Sequence, residues 1–160
     1  MGKSKKKRKT GTPEINNRRA RHDYHILDTL ECGIVLVGTE VKAIRDGNAS
    51  IAEGYVSVRG EPEELSLWNV TIGEYPPAGQ LQHKLGRSRK LLAHRREIKR
   101  LARQVDQKGV TVVPLKLYFK DGWAKLLIGL AEGKQQHDKR QAIKERDTKR
   151  ELQRMMSVRR

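Results

Sequence analysis

The sequence predicts a mainly β protein with helices, built as a small closed or partly closed antiparallel barrel. Apolar residues recur at every second position in several short runs, which is typical of half-buried strands. An Asp-Gly pair separates two runs rich in β-branched residues, which is the strongest hairpin signal in the chain. One longer segment switches to a helical period, and Lys- and Arg-rich stretches flank the whole.

The first half of the chain predicts two pairs of strands and a short helix. Residues 24–27 and 34–37 are expected to form two strands around a bend or bulge at Cys32-Gly33. Thr39 is expected to cap a helix over residues 40–45. The alternating runs 55–58 and 65–68 predict a hairpin across the turn between them.

The second half predicts one long helix and a second hairpin. The apolar spacing from residue 88 to 107 is helical, and Gly109 is the expected stop. The runs 110–119 and 124–130 flank Asp121-Gly122 and predict a hairpin. Six short strands with intervening helices in about 110 residues favour an oligonucleotide-binding (OB-like) barrel over residues 14–133.

Composition indicates what kind of partner this barrel binds. The 160 residues include 35 basic and 19 acidic side chains, a formal net charge of +16, so a polyanion is the expected partner. A single cysteine, Cys32, excludes a disulfide framework and fits a reducing cytosol. No apolar run is long enough to cross a bilayer, and the Lys-rich start has no apolar stretch behind it. We therefore expect a cytoplasmic protein.

The two ends of the chain lack a core pattern. Residues 1–13 are expected to be a disordered basic segment, because like charges crowd there with no apolar residue to bury. Residues 134–160 carry ten Lys/Arg and four Asp/Glu with few large apolar residues. Their composition is compatible with a helix, so we expect a basic C-terminal tail that is disordered when free and helical on binding.

The sequence indicates binding rather than catalysis. The five histidines have no metal-ligand spacing, and no Gly-rich phosphate loop is present, so we expect no enzyme activity, metal or cofactor. Cys32 is expected to be a small buried hydrophobe. Two basic clusters, at residues 17–22 and 87–90, contain guanidinium groups that grip phosphates bidentately, although either cluster alone is also compatible with solvated surface charge.

Two glutamates lie close to these cations in the expected structure. Glu31 is expected at a turn beside Cys32, and Glu40 at a strand end. A phosphate backbone repels a carboxylate, so one that belongs to the interface should orient an arginine or accept from a base edge. The alternative is that both are ordinary exposed glutamates.

Five segments, taken in order, resemble one family, the SsrA-binding protein (small protein B) family of bacterial trans-translation. The similarity runs from about residue 14 to the C-terminus, and residues 61–85 match least. The matching segments are residues 17–24, 33–45, 87–92, 109–115 and 133–140.

The resemblance implies a barrel that binds the tRNA-like domain of transfer-messenger RNA and delivers it to stalled ribosomes, where nascent chains are tagged for degradation. It implies the ribosome, at the 16S rRNA decoding centre and mRNA channel, and elongation factor Tu in the delivery complex as further partners. It assigns RNA-binding roles to Asn17, Glu31 and Leu92. With the matching charged residues, the expected barrel site is Asn17, Arg18, Arg19, Arg21, His22, Glu31, Glu40, Lys42, Arg45, Arg87, Arg89, Lys90 and Leu92.

The resemblance also assigns a role to the tail. Its middle segment approaches the decoding centre, and an apolar pair near its end seats it in the empty messenger channel. The expected ribosome-binding residues are Lys134, His137, Asp138, Lys139, Arg140, Met155 and Met156. A channel that holds messenger excludes the tail by volume, whereas helix formation in an empty channel lays cations along rRNA phosphates.

Two other classes stay open at this point. A structural ribosomal protein is also small and basic with unfolded tails, but it would accompany ribosomes at constant stoichiometry. An RNA-processing enzyme would need a carboxylate cluster or a His/Lys pair, which the sequence does not display.

Overall fold

A computed structural model of the chain describes residues 13–107 and 109–158. The segment 1–13, expected to be disordered, lies outside the described residues except for its last position. The helices are α1 (Arg18–Asp23), α2 (Gly38–Arg45), α3 (Arg95–Val105) and α4 (Gln136–Val158), with a 3-10 turn at Pro76–Ala78. The strands are β1 (Ile15–Asn16), β2 (Tyr24–Ile34), β3 (Ala49–Ser50), β4 (Tyr55–Arg59), β5 (Glu64–Trp68), β6 (Thr71–Ile72), β7 (Arg89–Leu92), β8 (Val110–Lys120) and β9 (Trp123–Gly133).

The main sheet is antiparallel and closes on itself. Its strand order is β1-β8-β4-β5-β7-β2-β9, and β9 pairs again with β8, so six strands form a ring with β1 added beside β8. Strands β3 and β6 form a separate two-stranded ribbon. Closure removes the unpaired edges that an open sheet would expose. The prediction of a small antiparallel barrel is confirmed.

The barrel encloses the core. Inward-facing positions of the ring supply side chains with no measurable exposure, and α2 and α3 cover the barrel with Ile44 and Leu101. The core side chains of the strands include Cys32, Leu65, Leu67, Val112, Leu126 and Ile128. Burial raises the pKa of the Cys32 thiol to about 12, so this cysteine is a protonated core residue as expected.

Both predicted hairpins are present. The strands β4 and β5 pair from Tyr55 opposite Trp68 to Arg59 opposite Glu64. The strands β8 and β9 meet at a two-residue turn in which Asp121 and Gly122 both have positive φ, 52° and 80°. That geometry matches the right-handed twist of the flanking strands and favours Asp-Gly.

The expected bend or bulge at Cys32-Gly33 is wrong, because both residues pair regularly with β9. Residues 24–34 form one continuous strand that pairs with β9 along its length. The irregularity lies earlier, between Ile26 and Asp28, where a bulge leaves Leu27 unpaired and 55% exposed. Cross-strand pairing with the long β9 keeps the segment extended where the local sequence indicated a break.

The expected helix at 88–107 is also corrected. Its first part is the strand β7, where Leu91 pairs with Leu65 of β5 and is buried. The helix α3 begins only after His94, whose backbone N–H donates to Glu97 Oε2 over 3.0 Å. Pairing between two sheet strands therefore overrides a local helical period.

Helix α2 begins two residues earlier than expected. Val37, rather than Thr39, is the N-cap, and its backbone N–H donates to Glu40 Oε2 over 3.0 Å. The carboxylate thus satisfies a donor that the helix leaves unpaired at its start.

The C-terminal residues form the longest helix, α4, which lies outside the barrel with its described side chains largely exposed. Whether this segment unfolds in the free protein stays a prediction. No helix in the described part of the chain is long and apolar enough to span a bilayer.

Candidate RNA interface

Glu31 lies on the outer face of β2 with its carboxylate held from both sides. The Tyr118 hydroxyl donates to Oε2, and Lys120 Nζ lies 3.7 Å from Oε1. The hydrogen bond from Tyr118, followed by the charges of Lys120 and Lys125, lowers the pKa of Glu31 below its usual 4.5. The carboxylate is therefore an oriented acceptor at the surface that is ionised at neutral pH.

Leu92 shares this surface with Glu31. Residues Glu31 and Gly33 point to the same face of β2, and Gly33 pairs with Leu92 of β7 on one side and with Lys125 of β9 on the other. The Leu92 side chain is 54% exposed, and a Cβ added to Gly33 would lie 3.4 Å from its Cβ. A glycine at position 33 keeps the surface open beside an exposed leucine. We call these four residues, Glu31, Gly33, Leu92 and Lys125, the Glu31 surface.

Sequence reasoning missed three residues of this neighbourhood, Tyr118, Lys120 and Lys125. Tyr118 and Lys120 lie on one face of β8, and Lys125 follows on β9 after the turn. The signal was available in the sequence. Tyr118 and Lys120 are two residues apart, and the hairpin at Asp121-Gly122 pairs Tyr118 with Lys125, so all three lie on one face.

Asn17 has an internal role. Its side chain is buried, 5% exposed, and Nδ2 donates to the backbone oxygens of Ile51 (3.1 Å) and Pro114 (2.9 Å). Its Oδ1 accepts from the N–H of Ala20 over 3.0 Å and caps α1. The side-chain amide therefore fixes the start of α1 against the barrel through three hydrogen bonds to the backbone.

The cationic residues of α1 follow this cap, and they differ in their exposure and in their ion pairs. Arg18 and Arg21 are exposed, whereas Arg19, also exposed, forms an ion pair with Glu53. His22 is half-buried, and its Nδ1 lies 2.9 Å from Oδ1 of Asp23. A row of guanidinium groups on one short helix can contact several phosphates of one strand.

The second basic cluster, residues 87–90, lies only partly on the surface. Arg89 is 1% exposed, its Nε and Nη2 both lie 2.9 Å from Oε1 of Glu40, and its other N–H groups reach backbone oxygens. Arg87, 30% exposed in its side chain, donates to both carboxylate oxygens of Glu40 from Nε (2.9 Å) and Nη2 (2.6 Å). Glu40 itself is fully buried.

In this Glu40–Arg87–Arg89 triad the carboxylate orients two arginines, which is one of the two roles expected for it. The burial of Glu40 and Arg89 corrects their expected place on the binding surface. Burial alone would raise the pKa of Glu40, but the hydrogen bonds from Arg87 and Val37 and the charges of both arginines lower it below 4.5. No buried side-chain nitrogen or oxygen of the described residues lacks a hydrogen-bond partner. The triad ties α2 to the start of β7.

The other barrel cations expected to bind RNA, Lys42, Arg45 and Lys90, are exposed. Lys90 Nζ lies 2.6 Å from Glu64. The charged ends of Lys42 and Arg45 lie 5.1 and 5.3 Å from the ring centres of Tyr75 and Phe119.

The base of the tail contacts α1. Lys134 Nζ donates to the backbone oxygen of Arg21 over 3.0 Å, and Asp138 Oδ2 lies 3.6 Å from His25 Nε2. Arg140, Met155 and Met156 are exposed along α4. His137 and Lys139 belong to α4, and their side chains lie outside the described part of the structure.

Two groups of expected site residues lie apart along β2. Those of α1 and the tail base meet where β2 begins at Tyr24, whereas Glu31 and Leu92 lie toward its other end. Seven residues of extended chain separate Tyr24 from Glu31, about 23 Å at 3.3 Å per residue. A ligand that touches both groups must be an extended one.

Comparison with known proteins identifies the family. The SmpB protein family model matches residues 14–158. An SsrA-binding protein of Anaeromyxobacter dehalogenans (strain 2CP-C) is 51% identical over 142 residues, 89% of this chain and 86% of that protein. One from Levilactobacillus brevis is 44% identical over 156 residues, 98% of each chain.

A solved structure extends the agreement to three dimensions. It is described as "tmRNA-SmpB: a journey to the center of the bacterial ribosome", is 44% identical, and superposes with a TM-score of 0.66 over 82% of this chain and 94% of that one. Together with the family model and the curated relatives, it leads to one conclusion: this chain belongs to the SmpB protein family.

Proposed function

We propose that this protein binds the tRNA-like domain of transfer-messenger RNA and delivers it to stalled ribosomes in trans-translation. The observation that carries the proposal is the Glu31 surface, where an ionised carboxylate, an open glycine, an exposed leucine and a lysine lie together. Relatives named SsrA-binding protein and a tmRNA-SmpB structure support it.

The Glu31 surface recognises groups that only a folded RNA presents. A carboxylate cannot lie against a phosphate, so Glu31 accepts hydrogen bonds from base amino groups or ribose hydroxyls that a folded loop presents. Leu92 packs on an exposed base or sugar, and Lys125 neutralises a neighbouring phosphate. The arginines of α1 then contact backbone phosphates about 23 Å away along β2.

The buried residues act through others. Asn17 fixes the start of α1, and the Glu40–Arg87–Arg89 triad fixes the approach to β7, on which Lys90 and Leu92 lie. Asn17, Glu40 and Arg89 are therefore positioning residues for the RNA interface.

The tail carries out the ribosomal part of the function. Helix α4 presents exposed cations along its length and an exposed Met155-Met156 pair near its end. In an empty messenger channel these cations lie against rRNA phosphates, whereas a channel that holds messenger has no room for a helix. The tail thereby detects that the messenger channel is empty, and this detection does not depend on nucleotide sequence.

A competition experiment tests the proposal. The purified protein is titrated with a labelled tRNA-like domain, and unlabelled competitors of equal length are a second tRNA-like RNA and a random sequence. We expect the tRNA-like competitor to displace the probe at far lower concentration. Equal competition by the random RNA would overturn the proposal, because it would leave only general affinity for polyanions.

A further inference from the structure

Helix α3 carries a row of exposed cations that the expected interface does not include. It consists of Arg95, Arg96, Lys99, Arg100 and Arg103, and we call it the α3 stripe. Leu101, 6% exposed, anchors the opposite side of the helix in the core, so the stripe faces outward. Its members lie three and four residues apart, which places them on one side of the helix over about 12 Å.

The stripe is unfavourable for the isolated protein. Arg95 and Arg96 lie in the first turn, where the helix dipole favours acidic residues. Three pairs four residues apart, 95/99, 96/100 and 99/103, place like charges together. The expected compensation would be carboxylates on neighbouring elements.

Compensation within the protein is slight. Arg100 Nη2 lies 2.6 Å from Asp28 Oδ2 on β2. The side-chain charged groups of the other four stripe residues form no hydrogen bond or ion pair with any residue in the described ranges 13–107 and 109–158. Glu97, the acidic residue of α3, is bound to the N-cap of its own helix. The core does not need these cations, because α3 packs through Leu101. Their mutual repulsion is therefore best explained by an anion outside the chain.

The stripe is continuous with the Glu31 surface. Arg95, at the start of α3, lines an open depression of about 210 Å³ together with Lys90 and with Leu92 of the Glu31 surface. Glu63 and Glu64 belong to the same lining.

We propose that the α3 stripe binds the phosphate backbone of the same structured RNA that the Glu31 surface reads. This inference rests on the proposed function and extends its interface. Four uncompensated charges spread over about 12 Å fit a ligand with several phosphates in a row rather than a small anion. The contact is independent of base sequence, so the stripe strengthens binding and orients the RNA while the Glu31 surface selects it.

The test removes three charges from the stripe. In the variant R96A/K99A/R103A, alanine keeps the helix, Arg100 keeps its pair with Asp28, and Leu101 stays in the core. The matched control, K144A/R146A/K149A, removes three exposed cations from α4 and leaves the same net charge. The dissociation constant for the tRNA-like RNA is measured from roughly 50 to 400 mM salt.

We expect the slope of log affinity against log salt to become shallower by roughly 2.7 in the stripe variant, about 0.9 for each lost phosphate contact. Affinity near 0.15 M salt should fall by roughly 100-fold, whereas the control should keep the wild-type slope. The stripe variant should also melt at the same temperature as the wild type or higher, because like-charge pairs are removed.

An unchanged slope in the stripe variant would overturn the inference, and so would an equal change in the control, which would show that only net charge matters. Either result leaves the proposed function standing if the wild type still prefers the tRNA-like RNA. Loss of that preference in the wild type would instead defeat the proposed function.

Discussion

At the scale of single residues, Glu31 and Glu40 show how burial decides the role of a carboxylate. Hydrogen bonds and nearby cations lower the pKa of both below 4.5, so both are ionised at neutral pH. Glu31 is at the surface, where its remaining acceptor capacity is open to solvent. Glu40 is buried and already occupied by Arg87, Arg89 and the N–H of Val37, so its charge stabilises the fold.

Replacing Glu40 should therefore cost stability. Glu40→Gln leaves the buried Arg89 guanidinium uncompensated, and we expect the free energy of unfolding in urea to fall by about 3–5 kcal/mol. The control Glu64→Gln breaks the exposed pair with Lys90 and should cost less than about 1 kcal/mol. Equal losses in the two variants would show that the triad contributes no more than a surface pair.

The pH dependence of stability tests the same triad. Because the pKa of Glu40 is lower in the folded state than the usual 4.5, its contribution is complete above about pH 5 and is lost as pH falls through the folded pKa. The wild type should lose stability in acid more steeply than Glu40→Gln, as followed by urea denaturation at successive pH values. Parallel curves would contradict this assignment.

Substitutions of Glu31 and Asn17, the two polar residues to which the family resemblance assigns RNA-binding roles, should have different effects. Glu31→Ala should weaken binding of the tRNA-like RNA roughly 5- to 150-fold, the range for one lost polar contact of about 1–3 kcal/mol, at unchanged melting temperature. Asn17→Ala removes a helix cap and two buried hydrogen bonds, so it should also lower stability by about 2 kcal/mol.

Thermal melts and RNA titrations of both variants separate the two effects, with Asn16→Ala, at an exposed neighbouring position, as the control. If Asn17→Ala weakened RNA binding without lowering stability, the internal role of Asn17 would be contradicted and a direct contact with RNA would be supported.

At the scale of elements, the tail helix α4 is joined to the barrel through a short stretch. Lys134 and Asp138 contact α1 and β2, whereas the described side chains beyond residue 140 are largely exposed. The barrel thus keeps its ring of strands and its core without α4. RNA binding by the barrel and sensing by the tail should therefore be separable.

Deletion of residues 138–160 provides that separation. We expect affinity for the tRNA-like RNA to change little, because the Glu31 surface and α1 stay in place, whereas tagging on stalled ribosomes is abolished. A titration and a reconstituted tagging assay measure the two activities on the same preparation. Comparable loss of both would show that the tail is part of the primary RNA interface.

At the scale of the whole molecule, charge and closure act together. The chain has a net charge of +16, and the closed ring gives it a rigid surface on which to hold separate groups of cations. Cations at the two ends of β2 can contact RNA simultaneously only if the strand between them keeps its length, which pairing with β9 ensures.

Affinity for RNA should accordingly depend strongly on salt. If the barrel contacts about five phosphates, log affinity against log salt should fall with a slope of roughly −4. Fluorescence anisotropy over a range of salt concentrations measures the slope for the wild-type protein. A flat response would contradict an interface dominated by the backbone.

The sequence by itself determined the barrel class, both hairpins and the basic character of the surface. These features depend on short-range rules: two-residue alternation, the positive φ values that Asp121-Gly122 accommodates, and the count of charges. The motifs that carry the family resemblance are also contiguous in sequence.

Only the tertiary structure decided which charged residues are available to a ligand. Arg87 and Arg89 look alike in sequence, yet Glu40, more than forty residues away, draws Arg89 into the interior. The continuity of β2, the strand β7 in place of a helix, and the internal role of Asn17 likewise depend on partners distant in the chain. Burial and strand pairing are set by such distant contacts, so local patterns cannot determine them.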